Sequence, residues 1–334
     1  MADKKENGKC INYDIHGLIR VKSNVPIGIP SIFETKDAIE PDLIVEVRDF
    51  NVDKEINEND IYYYEDYGNL SKLLLKNISS KKAEIRYINI GYKITGRINK
   101  ILESLIKEVM QMKLIQKGYC FLHCACLDIN GKGLLITAPP ETGKTFTAIA
   151  LVKNHNLGYL SDDMTIVGKN IAYCYPLPLT LHSYHIKAHK IKLSTKIYIQ
   201  MHVINFLKKI PLVNTQVPEF GLDIRDIVNN VNIKKSTKIN TICFLKRGSD
   251  EISEVDKDYA LKMLSLVGGM HIPFYDDRLI LTYAYNDPLL DVENILNMRR
   301  KLYTHIIDNA ECILIKSKNR EFSKLIERFI LPKM

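Results

Sequence analysis

The chain has 334 residues, of which 46% are apolar, and a formal net charge of +8. This length predicts one large domain or two ordinary ones with a substantial core. No apolar run is long enough for a transmembrane helix, and residues 1–9 lack the apolar core of a signal peptide, so a cytoplasmic location is expected. The charge is compatible with phosphate-bearing ligands or an acidic partner, but it is too diffuse to indicate nucleic-acid binding.

The first third of the chain carries mostly β-strand signals. Residues 1–11 are predicted to be a disordered leader, and a small β-rich region is predicted over 12–96. The acidic, tyrosine-bearing stretch 51–67 is interpreted as a solvated loop or hairpin. Strand-like alternation of apolar and polar residues occurs at 17–22, 42–48 and 83–94.

A connecting helix is predicted over 97–117, because its apolar residues recur at helical spacing, and a larger domain is predicted over 118–334. A strand then carries His123 and runs into the turn at Asn130-Gly131. Since Asn-Gly between two apolar runs favours a hairpin, this strand is expected to lie antiparallel beside the next one. His123 is then expected at one end of the sheet, and the spacing does not decide which end.

The seven cysteines are odd in number and do not suggest a disulfide framework. Cys120, Cys124 and Cys126 cluster around His123, which raises the possibility of a metal site. If 119–129 is one strand, however, Cys124 and Cys126 share one face and His123 lies on the other. Buried thiols are therefore the favoured interpretation.

The run 133–145, Gly-Leu-Leu-Ile-Thr-Ala-Pro-Pro-Glu-Thr-Gly-Lys-Thr, predicts a buried strand, a tight loop and a helix start. This pattern resembles a P-loop, in which backbone N–H groups surround phosphate, Lys144 reaches the β- and γ-phosphates, and Thr145 binds Mg²⁺. Ala138 replaces the first glycine, and a cost in backbone conformation is expected there. The residues expected to contact the nucleotide are Pro140, Glu141, Thr142, Gly143, Lys144, Thr145 and Phe146.

A short strand over 159–161 ends in Asp162-Asp163, and a hairpin is predicted over 164–173. Two carboxylates at a strand end, soon after a P-loop helix, suit phosphoryl transfer. One can hold Mg²⁺ while the other accepts a proton from an attacking hydroxyl.

No acidic residue occurs between Asp163 and Glu219, and this stretch is rich in lysine and histidine. It predicts either a basic surface that faces an acidic or phosphorylated substrate or an ordinary solvated face. A metal site at His182, His185 and His189 is not favoured. Beyond it, strands are predicted at 239–247 and 312–316, and helical segments at 221–228, 261–268, 289–308 and 319–331.

In their order and spacing, these motifs resemble the HPr kinase/phosphorylase family and its wider relatives. The matching segments are Leu122-His123, 130–133, 138–145, 160–163 and 221–228. The resemblance implies a mixed α/β fold in which helices flank a P-loop core sheet, related to that of ATP-dependent phosphoenolpyruvate carboxykinase. It also implies ATP and Mg²⁺ as cofactors, and it is compatible with a homo-oligomer.

The resemblance further implies roles for individual side chains. Asp162 would be the base, and His123 would order the aspartates or the transferring phosphate. The implied catalytic residues are Asp162, His123 and Lys144. The implied metal-site residues are Thr145, Asp163 and Glu219. The family's protein-substrate signature is not matched, so the acceptor is left open as a hydroxyl-bearing small molecule, peptide or protein.

Three functions compete at this point. The first is a kinase that transfers the γ-phosphate of ATP to a hydroxyl. The second is a P-loop ATPase of the AAA type, but the strand that should then end in Asp-Glu ends in Lys246-Arg247. The third is a nucleotide-sensing or scaffold protein without turnover.

Overall fold

The computed structural model describes residues 10–95, 98–180, 195–207, 221–272 and 278–334. The chain divides into two compact units. The first comprises Met1–Cys120 with Ile272–Arg299, and the second comprises Phe121–His271 with Arg300–Met334. Mixed sheets flanked by helices confirm the predicted α/β class and the β-rich N-terminal region. Within the described ranges, no helix has the length and apolar character needed to cross a membrane.

A seven-stranded mixed sheet organises the first unit, in the order β3-β1-β2-β4-β7-β6-β5. β4 lies parallel to β2 and β7, and the other neighbouring strands are antiparallel. Its strands are β1 (Ile11–Ile15), β2 (Ile19–Ser23), β3 (Glu34–Thr35), β4 (Leu43–Val47), β5 (Tyr62–Asp66), β6 (Ser71–Lys76) and β7 (Ala83–Asn89).

The second unit is built on a branched sheet whose main path is β11-β9-β10-β16-β13-β12-β8. Two further strands lie off this path: β18 pairs with β16, and β17 pairs with β18. The strands are β8 (Cys120–Leu122), β9 (Ala125–Ile129), β10 (Lys132–Thr137), β11 (Gly158–Ser161), β12 (Thr165–Gly168), β13 (Ile171–Tyr173), β16 (Ser236–Arg247), β17 (Glu251–Glu254) and β18 (Glu311–Ser317). A separate two-stranded pair is formed by β14 (Leu179–Thr180) and β15 (Gly221–Leu222).

The α-helices of the described ranges are α1 (Ile90–Thr95), α2 (Lys100–Gln116), α3 (Lys144–His155), α4 (Thr195–Leu207), α5 (Lys257–His271), α6 (Arg278–Asn286), α7 (Val292–Asp308) and α8 (Phe322–Phe329). α3 and α8 pack on the second sheet around a core that includes Ile136, Leu151, Phe322 and Ile326. Burying each such side chain contributes about 1.5–3 kcal/mol. This packing fixes the start of α3 against the sheet edge.

Two predicted strands are interrupted. The strand predicted over 83–94 ends at Asn89, because the Asn89 Oδ1 accepts a hydrogen bond of 2.6 Å from the Tyr92 N–H and begins α1. The strand predicted over 119–129 breaks at His123 and Cys124, between β8 and β9. The alternation of apolar residues predicted neither interruption, because a side-chain cap and a break of two residues hardly change that alternation.

Residues 272–299 group with the first unit, whereas the sequence predicts one domain over 118–334. The Tyr283 hydroxyl accepts a hydrogen bond of 3.0 Å from the Ile78 N–H and donates one of 3.1 Å to the Ile61 carbonyl. The Arg278 guanidinium lies 2.6 Å from the Glu65 carboxylate. These long-range bonds attach α6 to β5 and to residues that flank β5 and β6, about 200 residues earlier in the chain.

Helix α5 offers a paired test of packing, because it continues through the glycines that were predicted to end it. A Cβ at Gly268 would lie 2.5 Å from the buried Tyr303 hydroxyl, whereas a Cβ at Gly269 would meet nothing within 4 Å. We expect Gly268→Ala to lower the free energy of unfolding by about 1–3 kcal/mol. Gly269→Ala should raise it by about 0.5–1 kcal/mol. Urea unfolding of both variants measures the difference, and equal effects would contradict this packing.

Candidate active site

Most of the predicted site residues lie at one edge of the second sheet. β10 is parallel to β16 and antiparallel to β9, and β9 is antiparallel to β11. The carboxyl ends of β10 and β11 therefore share an edge with the amino end of β9. This topology brings together the loop after Thr137, the residues before Ala125 and the residues after Ser161. His123 consequently lies at the end of the sheet that carries the loop after Thr137, which the sequence left undecided, and the predicted hairpin at Asn130 is confirmed.

The loop of residues 138–143 joins β10 to α3 and turns through two left-handed positions. The backbone φ angle is 59° at Glu141 and 125° at Gly143. Ala138 is 2% exposed and is not among the residues with positive φ. The expected conformational cost at Ala138 is therefore wrong, because the positions that need left-handed backbone lie later in this loop.

Helix α3 begins at Lys144 with Gly143 as its N-cap, and no side chain caps it. The Gly143 carbonyl accepts hydrogen bonds from the Thr147 N–H at 3.0 Å and from the Thr147 hydroxyl at 2.9 Å. A helix that starts without a side-chain acceptor directs backbone N–H groups and the positive end of its dipole towards the loop. This arrangement suits an anion such as phosphate.

Lys144, His123 and Asp163 form a triangle of side chains at the loop. The Lys144 Nζ lies 2.9 Å from the His123 Nε2 and 3.3 Å from the Asp163 Oδ1, and the His123 Nδ1 lies 3.1 Å from the same Oδ1. Burial, aided by the Lys144 charge, lowers the pKa of His123 despite the opposing Asp163. A neutral imidazole with Nδ1–H donating to Asp163 and Nε2 accepting from Lys144 satisfies both contacts.

Asp162, the residue before Asp163, is buried, with 5% of its surface exposed. Its Oδ2 accepts a hydrogen bond of 2.7 Å from the Thr145 hydroxyl, whereas its buried Oδ1 has no hydrogen-bond partner among the described residues. Burial raises the pKa of Asp162 to about 6, although Lys144 and the Thr145 hydrogen bond act in the opposite direction. Burying a carboxylate oxygen without a hydrogen-bond partner costs free energy. We therefore expect the Asp162 carboxylate to have a functional role.

Several supporting side chains were missed by the sequence analysis. The Thr137 hydroxyl donates to the His123 carbonyl at 3.1 Å, and the Thr165 hydroxyl donates to the Cys124 carbonyl at 3.1 Å. The Ser161 hydroxyl also bonds to Thr165. Burial raises the pKa of the Cys124 thiol to about 12, so the protonated thiol donates to Thr165. These bonds hold the turn with the two aspartates against the break between β8 and β9.

The structure therefore brings together most of the predicted site residues. The residues from Pro140 to Phe146 form the loop and the first turn of α3, and Lys144 contacts both His123 and Asp163. Glu219, His182, His185 and His189 lie outside the described residues. Among the residues that are described, no group of three or more His, Cys, Asp or Glu side chains has an arrangement that could hold a metal ion.

Similarity to known proteins is found among solved structures, at low sequence identity. A scan against protein-family models and a search of the curated proteins each found no match. Among solved structures, the chain is similar to the HPr(Ser) kinase/phosphatase from Coxiella burnetii, at 17% sequence identity and a TM-score of 0.29. The match covers 64% of this chain and 95% of that one. The chemistry of the site therefore has to follow from its own side chains.

Proposed function

We propose that this protein is a kinase that binds Mg²⁺ and ATP at the loop of residues 138–143 and transfers the γ-phosphoryl group to a hydroxyl acceptor. The observation that carries the proposal is the buried Asp162 carboxylate, whose Oδ2 is bonded to Thr145 at the start of α3 and whose Oδ1 has no partner. The paired Lys144 and the uncapped helix start support it.

The residues around Asp162 fit a magnesium ion. The Thr145 hydroxyl and the Asp162 carboxylate are adjacent oxygen donors, and oxygen is the ligand type that Mg²⁺ prefers. These two residues would hold the ion, directly or through water. When bound, Mg²⁺ neutralises charge on the phosphate oxygens. The buried Oδ1, which has no partner among the described residues, would be available to such an ion or to its water.

Lys144 and Asp163 then divide the remaining tasks. Lys144 would exchange its bonds to His123 and Asp163 for phosphate oxygens. Asp163 is 48% exposed at its side chain and can be reached by an acceptor hydroxyl, whereas Asp162 is buried. We therefore assign proton acceptance to Asp163 and the metal to Asp162, which exchanges the roles that the resemblance implies. His123 would orient Asp163 through its Nδ1–H.

In the transfer step, the acceptor oxygen forms a bond to the γ-phosphorus while the bond from phosphorus to the bridging oxygen of ADP breaks. The acceptor proton goes to the Asp163 carboxylate. Catalysis consists mainly of positioning and charge stabilisation, as in other P-loop phosphoryl transfers.

The test uses γ-labelled ATP and Mg²⁺ with the full-length protein and an extract of small molecules and proteins. We expect label to reach an acceptor with the wild type, and Asp163→Asn to bind ATP with similar affinity but to transfer about 100-fold more slowly or worse. Asp258→Asn, an exposed acid in the first turn of α5, is the matched control and should behave like the wild type.

Two other results would reject the kinase. Steady hydrolysis of ATP without a labelled acceptor would favour the ATPase. Tight binding of ATP without turnover would favour the sensor or scaffold.

A further inference from the structure

The loop of residues 138–143 has a second flank, opposite to His123 and the aspartates. β16 runs parallel to β10 on one side and to β18 on the other, and Arg247 is paired with Ser317. The residues that follow β16 and β18 therefore lie at the same sheet edge as the loop. On this flank β16 ends in Lys246-Arg247, and Lys318-Asn-Arg320 follows β18.

Arg247 bonds to the loop itself. Its guanidinium donates a hydrogen bond of 2.7 Å to the carbonyl oxygen of Glu141, the loop residue with φ 59°. The Arg247 side chain is exposed. One bond to a carbonyl uses only part of a guanidinium, which carries several N–H donors in a planar fork. Arg247 thus supports the left-handed turn of the loop and keeps donors available at its surface.

Arg320 lies at the other end of the loop. Its Cβ would be 3.9 Å from a Cβ placed on Gly143, and the Phe322 ring would be 3.6 Å from that Cβ. Arg320 has a φ of 59°, a left-handed conformation that is uncommon for a residue other than glycine or asparagine. Such a conformation costs free energy and is retained mostly where it serves a function. It places the Cβ of an exposed arginine beside Gly143, the N-cap of α3.

These two arginines differ from nearby lysines in their charge partners. Two nearby lysines have carboxylate partners: Lys316 pairs with Glu251 at 2.7 Å, and Lys324 pairs with Glu321 at 2.6 Å. In the described part of the chain, neither Arg247 nor Arg320 forms an ion pair with a carboxylate. The loop therefore lies between acidic groups and a histidine on one flank and two exposed arginines on the other.

We propose that Arg320 is a second cationic binding residue for the phosphates of the nucleotide and that Arg247 is a positioning residue that fixes the loop through Glu141. This inference rests on the proposed function and adds to it. Guanidinium groups bind phosphate oxygens through paired, charge-assisted hydrogen bonds. Lys144 and Arg320 approach the phosphates from the two flanks, so the affinity for nucleotide rises with the number of phosphates.

The experiment compares equilibrium binding of ATP, ADP and AMP, each with Mg²⁺, to the wild type and its variants. We expect Arg320→Gln and Arg320→Gly to raise the Kd for ATP by about 10- to 100-fold and to reduce the preference for ATP over AMP. Because glycine relieves the left-handed conformation, Arg320→Gly should unfold at a urea concentration no lower than the wild type does. Arg328→Gln, an exposed arginine over the Phe329 ring of α8, is the control and should bind like the wild type.

Arg247 is tested by rescue. Arg247→Gln should weaken ATP and ADP binding by the same factor, and Arg247→Lys should restore most of it, because an ammonium can still donate to the Glu141 carbonyl. The inference is overturned if the wild type binds ATP and both Arg320 variants bind it equally well. If the wild type does not bind ATP, the proposed function itself fails.

Discussion

Replacing Lys144 by alanine is expected to weaken ATP binding and phosphoryl transfer by about 100-fold or more, because a cation directed at developing phosphate charge is lost. Lys144 is 7% exposed, and its Nζ lies within 3.3 Å of both His123 and Asp163. Lys153→Ala is the matched control, since it removes a lysine from the exposed last turn of the same helix. Direct binding and label transfer measure both effects.

The same variant should also change the titration of His123 in the folded protein. The Lys144 charge helps to lower the pKa of His123, while Asp163 raises it. We therefore expect the pKa of His123 to increase in Lys144→Ala, which an NMR titration of the imidazole can follow. Wild-type ATP affinity together with an unchanged His123 titration would contradict the proposed role of Lys144.

Asp162→Asn is expected to stabilise the protein while it abolishes Mg²⁺-dependent transfer. The pKa of Asp162 is raised from 3.8 to about 6 in the folded protein. The folded state therefore binds the carboxyl proton of Asp162 more tightly than the unfolded chain does. The free energy of unfolding consequently falls as the pH rises from the unfolded pKa to the folded pKa of this group. At about pH 7 the ionised Asp162 lowers the free energy of unfolding by at most about 3 kcal/mol, and below about pH 4 this effect disappears.

Urea unfolding at about pH 7 and about pH 4 tests this expectation. Asp162→Asn should raise the free energy of unfolding at the higher pH by up to about 3 kcal/mol and change it little at the lower pH. An asparagine can still accept the hydrogen bond from Thr145, so the local packing is kept. Equal stability of the two proteins at about pH 7, or unchanged transfer by Asp162→Asn, would contradict the assignment of this carboxylate.

The local parts of the site could be predicted from the sequence. Gly143, Lys144 and Thr145 mark the loop and the start of α3, Asn130-Gly131 marks the hairpin, and Asp162 follows a short strand. Each of these signals arises from neighbouring residues, because turn chemistry and apolar periodicity act over a few positions. The α/β class follows from the same patterns.

Only the tertiary structure decided how these parts combine. Parallel pairing of β16 and β18 brings Arg247 and Arg320 to a loop encoded about 100 or more residues earlier. Packing also made Asp162 buried and Asp163 half-exposed, although the two are chemically identical neighbours in the chain. Strand pairing and burial depend on contacts between distant segments. The local sequence around these residues therefore does not predict either of them.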